Sequence, residues 1–126
     1  MIKLLLVDDE KGITASLKDF FAHRKFYVKM ANSGEEALEL LKNDNFNIVF
    51  LDITMKGLSG LETLERIKKL DKNIKVIMLT VHHEKEIIEK AMALGADEYI
   101  TKPFQLDYLE EVALKKVREL MKENIW

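Results

Sequence analysis

Four places in the chain hold side chains whose types could do chemistry, and each follows a short apolar run. Asp8, Asp9 and Glu10 follow IKLLLV (residues 2–7), and Asp52 follows NIVFL (47–51). Thr80 follows IKVIML (74–79), and Thr101, Lys102 and Pro103 follow DEYI (97–100). The set contains carboxylates, hydroxyl groups and one ammonium, with neither histidine nor cysteine. Hard oxygen donors at close quarters suit Mg²⁺, which keeps several waters and takes one or two carboxylates plus phosphate oxygens. Without a cation, clustered carboxylates repel and raise one another's pKa, and a nearby lysine offsets part of that. The chemistry implied is metal-assisted phosphoryl transfer with a carboxylate as nucleophile.

These groups can meet only if the apolar runs are neighbouring strands with a common carboxyl-terminal rim, where open α/β sheets bind their ligands. Near-continuous apolar runs suit strands covered on both faces by helices. YVKMA (27–31) alternates as a weaker strand, and DEYI is a short one. Helical spacing fills the intervals. Ile13, Leu17, Phe20 and Phe21 define a first helix, and Ser33 with Glu36 forms a capping box ahead of Ala37, Leu38 and Leu41. Leu61, Leu64 and Ile67 define a third, and Ile87, Ile88, Ala91 and Leu94 a fourth, with Gly95 as its C-terminal glycine. Leu106, Leu109, Val112, Ala113, Val117 and Leu120 line a fifth. The pattern is (βα)₅ with short connections, which predicts right-handed crossovers and a doubly wound parallel sheet filling one domain, residues 1–126.

The chain's 126 residues suit one hydrophobic core, and 48% hydrophobic with 33% charged residues is the composition of a globular protein. Twenty basic against 22 acidic residues leave a formal charge of −2, which gives no electrostatic argument for nucleic-acid or membrane binding. The lack of cysteine excludes disulfides and Cys-based zinc sites, and a reducing cytoplasmic setting is the expectation. The N-terminal apolar run is too short for a signal-peptide core or a spanning helix.

LLLVDDE, IVFLDITM followed by GLSGLE, VIMLTV and GADEYITKPF, in this order and spacing over residues 2–122, resemble the receiver domains of two-component response regulators. The resemblance implies a flavodoxin-like strand order 2-1-3-4-5. It implies Asp52 as the phosphoacceptor for a histidine kinase, a phosphotransfer protein or a small phosphodonor. Asp9 would bind Mg²⁺ directly, Asp8 would help through the metal or a water, and the backbone carbonyl of Thr54 would complete the metal shell. Lys102 would pair with phosphoryl oxygens and Thr80 would donate its hydroxyl to one. The Lys102–Pro103 bond is expected to be cis. Tyr99 matches the aromatic switch position, and the surface of helix 4, strand 5 and helix 5, Ile87 to Leu120, would serve a downstream effector or attached output domain. A homodimer formed on phosphorylation is a further expectation. Such a protein catalyses its own phosphorylation and dephosphorylation, and is not an enzyme for an external metabolite.

Some positions depart from the family pattern. Lys56 stands where many relatives have proline, leaving Gly57 and Gly60 to keep the turn. Val81 is bulkier than the usual small residue and is expected to narrow access to Asp52. Thr54 and His82 hold the two positions that tune the phosphoryl lifetime. Glu10 reads as a first-turn acid, His82 and His83 as solvated loop residues, and Phe104 as a packing residue. Three alternatives remain at this level. A phosphohydrolase with an aspartyl nucleophile would carry a second aspartate where this chain has Thr54. A flavodoxin-like cofactor carrier would need a hydroxyl- and glycine-rich loop where it has Asp8-Asp9-Glu10. A receiver-shaped module that signals without phosphorylation is the third.

Overall fold

The computed structural model describes residues 1–55, 57–81, 85–102 and 104–122, without the side chains of residues 11–14. Five parallel strands, β1 (Lys3–Val7), β2 (Tyr27–Ala31), β3 (Ile48–Asp52), β4 (Lys75–Val81) and β5 (Glu98–Lys102), pair in the order 2-1-3-4-5. The helices are α1 (Lys11–Ala22), α2 (Gly34–Asn43), α3 (Gly60–Leu70) and α4 (Lys85–Ala93). The fifth helical segment, α5 (106–122), starts as Leu106–Tyr108, widens into a π-helical turn over Leu109–Ala113 and continues as Leu114–Lys122.

Strand alternation divides the apolar residues between two layers. Leu5, Val7, Val49, Leu51, Val76 and Met78 pack against Ala37, Leu41, Leu64, Ile67 and Ala91 of α2, α3 and α4. Leu4, Leu6, Ile48, Phe50, Ile77, Leu79 and Ile100 face Leu17, Phe20, Phe21, Leu109, Ala113 and Val117 of α1 and α5, with Phe104 partly buried at the margin. All five residues of β3 are buried. Covering both faces of the central strands is what makes their sequences read as unbroken apolar runs.

Local signals fix the helix ends. The Ser33 Oγ accepts the Glu36 N–H at 3.1 Å to start α2. Ser59 does the same for α3, accepting the Glu62 N–H at 3.2 Å while its hydroxyl donates to Glu62 Oε1 at 3.2 Å. After α4, Gly95 takes φ +107°, and the N–H groups of Ala96 and Gly95 reach back to the carbonyls of Ala91 (3.0 Å) and Met92 (3.1 Å). This is a Schellman ending, which needs a residue without Cβ strain.

Three readings of the sequence are corrected. Asp52, Thr80, Val81, Thr101 and Lys102 do not follow their strands but are ladder residues of them, in the pairs Asp52↔Leu79, Thr80↔Thr101 and Val81↔Lys102. Leu106 does not line the core. It is 64% exposed, because it precedes the wide turn that rotates Leu109, Ala113 and Leu114 onto the sheet. Leu94 is exposed as well, since the chain leaves the helical path there.

Candidate functional site

The ladder sets the spacing of the site. Asp52 ends β3, the central strand, and Lys102 ends β5 two strands away. The Asp8 carboxylate, directly after β1, is fully buried, and Asp52 is 4% exposed. The Lys102 ammonium bridges them, 3.0 Å from Asp8 Oδ2 and 3.2 Å from Asp52 Oδ1. Ligand oxygens of Asp8, Asp9, Glu10 and Asp52 all lie within 4.8 Å of one another. Backbone amides hold two of these carboxylates in place: the Glu10 N–H donates to Asp8 Oδ1 at 2.9 Å, and the Thr54 N–H to Asp52 Oδ1 at 3.3 Å.

Beside this cluster opens a cavity of about 260 Å³ lined by Glu10, Asp52, Thr54, Thr80, Val81 and Lys102. The structure therefore gathers Asp8, Asp9, Glu10, Asp52, Thr54, Thr80, Val81 and Lys102 at one rim. Glu10 is the residue at the N-cap of α1 and makes no side-chain capping bond, so it belongs to the acid cluster and not to the helix's first turn. The buried Thr80 hydroxyl donates to the Val81 carbonyl at 3.1 Å. Tyr99 stands outside the site, 37% exposed, with the Lys116 ammonium 5.1 Å from its ring centroid. It lines a separate cavity of about 530 Å³ with Lys85, Ile88, Glu89 and Thr101. Lys56, His82, His83 and Pro103 lie outside the described residues, so the expected cis Lys102–Pro103 bond does too.

Electrostatics follow from the geometry. Burial, then the neighbouring Asp8 charge, push the Asp52 carboxyl from its ordinary 3.8 up to about 7 against the pull of Lys102. For Lys102 burial disfavours the charge, but pairing with Asp8 and Asp52 outweighs it and holds the ammonium above its ordinary value. Asp8 Oδ2 meets Lys102 as an ion pair outside hydrogen-bonding geometry and has no hydrogen-bond partner among the described residues. A buried carboxylate oxygen left in this way, inside a cluster of four acids, fits a hard divalent cation.

Two further residues support the site, of which the sequence marks Gly60 only as a turn residue. Gly60 packs so tightly under Asp52 that a Cβ would come within 2.2 Å of the Asp52 carbonyl oxygen and 2.6 Å of Ile53 Cα. Both obstacles are backbone and cannot swing aside. Gly60→Ala is expected to lower stability by about 2–3 kcal/mol, read as a lower urea midpoint at unchanged slope. The other support is the Tyr108 hydroxyl, which accepts the Thr101 N–H at 2.9 Å. No sequence pattern marks it, because the contact depends on how α5 folds back on β5.

An acid cluster, a lysine and a threonine at the carboxyl rim of a 2-1-3-4-5 parallel sheet define a receiver-type α/β protein. The chain belongs to the response regulator receiver domain family, which it matches over residues 4–114, and it is thus a receiver domain of a two-component system. It is 35% identical to sporulation initiation phosphotransferase F of Bacillus subtilis over 114 residues, 90% of this chain and 91% of that protein. A CheY-like receiver domain protein from Methanospirillum hungatei JF-1 superposes with a TM-score of 0.87 at 32% identity, covering 98% of each chain. The response regulator TrrA from Thermotoga maritima, solved in complex with Mg²⁺-BeF, gives a TM-score of 0.82 at 38% identity, covering 95% of this chain and 99% of that one. The chain spans about half the length of several other curated relatives. Among the described residues no helix is long and apolar enough to cross a membrane.

Proposed function

We propose that the chain is a phosphorylation switch in which Asp52 takes a phosphoryl group from a histidine kinase, a phosphotransfer protein or a small phosphodonor. The observation that carries this reading is the Lys102 ammonium set 3.0 Å and 3.2 Å from two buried carboxylates at the wall of an open cavity. An Asp52 oxygen forms the new P–O bond as the donor's P–N or P–O bond breaks, the leaving group keeping the electron pair. Lys102 exchanges part of its pairing for the phosphoryl oxygens, and Thr80 turns its hydroxyl from the Val81 carbonyl towards one of them. Asp8, Asp9 and Asp52, with the Thr54 carbonyl, would hold Mg²⁺. When bound, the ion neutralises charge on the transferring group.

The added charge and acceptor oxygens bias a two-state surface built on α4, β5 and α5, with Tyr99 as its reporter and a downstream effector or attached output domain as its reader. Phosphorylation-linked pairing of two copies through this surface belongs to the same reading, as does a cytoplasmic setting. The protein acts on no external metabolite, and Thr54 in place of a second aspartate argues against a phosphohydrolase.

Intact mass after incubation with Mg²⁺ and acetyl phosphate tests the reading. One added phosphoryl group is expected, lost with Asp52→Asn and lost with chelator. An unchanged mass at all times, with no binding of a beryllofluoride mimic, overturns it.

A further inference from the structure

We infer that Tyr108 is a positioning residue for phosphoryl transfer, acting on Lys102 through the backbone of Thr101; this rests on the phosphoacceptor reading of Asp52. β5 is an edge strand, so its outward backbone groups have no ladder partner. The Thr101 N–H is one of them. It donates to the Tyr108 hydroxyl at 2.9 Å, and the Thr101 hydroxyl approaches the same oxygen at 3.3 Å. Thr101 is joined directly to Lys102, whose ammonium pairs with Asp8 and Asp52. On its inner side the last part of β5 is fixed by the pairs Thr80↔Thr101 and Val81↔Lys102. On its outer side the phenol is the anchor.

Tyr108 is itself held in place. It is the last residue before the π-helical turn Leu109–Ala113, and it packs against the α1–α5 core layer. Arg24, in the turn after α1, clasps that π-helical turn: its guanidinium donates to Glu110 Oε1 at 2.9 Å and to the Phe20 carbonyl at 2.9 Å, lying 3.7 Å from the Phe20 ring centroid. A single wide turn of this kind places one residue where regular α-helix would put its neighbour, a device common at functional sites. The Tyr108 hydroxyl, directly before this turn, meets the edge of β5.

An anchor that served the edge alone would resemble the Lys116 ammonium on the Tyr99 carbonyl at 2.9 Å, three residues before Lys102. The Tyr108 bond differs in falling on the residue next to the site lysine. A displacement of one ångström at a reacting group is enough to cost orders of magnitude in rate, so loosening the backbone there is expected to slow transfer without weakening metal binding. The acids that would hold the metal lie directly after β1 and at the end of β3 and do not depend on this bond.

The test is Tyr108→Phe, which keeps the ring and deletes the hydroxyl. In metal-free protein, amide exchange at Thr101 is expected to speed up at least tenfold while Leu79 and Thr80 keep their protection. This arm is independent of phosphate chemistry. With Mg²⁺ and acetyl phosphate, the phosphorylation rate well below Tm is expected to fall five- to tenfold, with the Mg²⁺ dependence of Tm unchanged. Wild-type exchange at Thr101 as fast as in a free peptide overturns the inference even if the variant does not fold. A variant with wild-type exchange or a wild-type phosphorylation rate overturns it too. Wild-type protein that takes no phosphoryl group overturns the phosphoacceptor reading, and with it the role of Tyr108 in transfer, while the exchange arm still decides the anchor.

Discussion

Asp52→Asn is expected to stabilise the metal-free protein at pH 8 while abolishing the phosphoryl adduct. The Asp52 carboxyl is raised to about 7 by burial and by Asp8, so the folded state holds a proton that the unfolded chain releases near 3.8. Stability from that proton is fully present below 3.8 and is lost as pH rises through about 7. Above pH 7 the wild-type protein carries an ionised carboxylate in a site short of positive charge. At 1.36 kcal/mol per unit the full shift would be about 4 kcal/mol. Halved for screening through the open cavity, it leaves about 2 kcal/mol. Asparagine has no such charge, so its Tm at pH 8 should exceed the wild type's by roughly 5–10 °C, and the gap should close towards pH 4. Added Mg²⁺ should raise the wild-type Tm much more than the variant's. A variant less stable than wild type at pH 8 without metal would show that Lys102 already compensates Asp52 in full.

How far the sequence discloses this site depends on which interactions are local. The apolar runs and their terminal acids are legible because a strand buried on both faces has to be apolar, and a charge at its end breaks that rule visibly. The order 2-1-3-4-5 follows from the resemblance rather than from periodicity, which cannot rank strands of similar composition. Ser59 with Glu62 carries the same capping signal as Ser33 with Glu36, but it lies in a glycine-bearing loop that hides it. Other features are tertiary and leave no local trace. Asp52 and Lys102 read as the residues that follow their strands because ladder pairing across strands, and not propensity, extends β3 and β5 over them. Leu106 reads as core because a regular helix would put it there, and only the π-helical turn removes it. The Thr80 hydroxyl bond to the Val81 carbonyl and the Tyr108 hydroxyl on Thr101 depend on side-chain directions set by the folded sheet.

Lys102→Met is expected to have the opposite effect to Asp52→Asn, and combining the two shows whether the site behaves as one unit. Methionine keeps the volume and apolar stem of the side chain but removes the ammonium that lies 3.0 Å from Asp8 and 3.2 Å from Asp52. Two buried carboxylates then face each other uncompensated, which typically costs about 3–5 kcal/mol. Loss of stability of about 3 kcal/mol is expected at pH 8 without metal, read from urea unfolding. The penalty should shrink towards pH 5, because losing the pull of Lys102 raises the Asp52 pKa further and the protonated carboxyl is neutral. Mg²⁺ should recover part of it by supplying positive charge to the same acids. In the double variant the asparagine that replaces Asp52 is neutral at every pH, so the methionine should cost at least ~1 kcal/mol less than it does alone. It should still cost something, since Asp8 stays buried beside the missing ammonium. Strict additivity at pH 8 would mean that Lys102 answers to Asp8 alone, leaving Asp52 to be compensated by the metal.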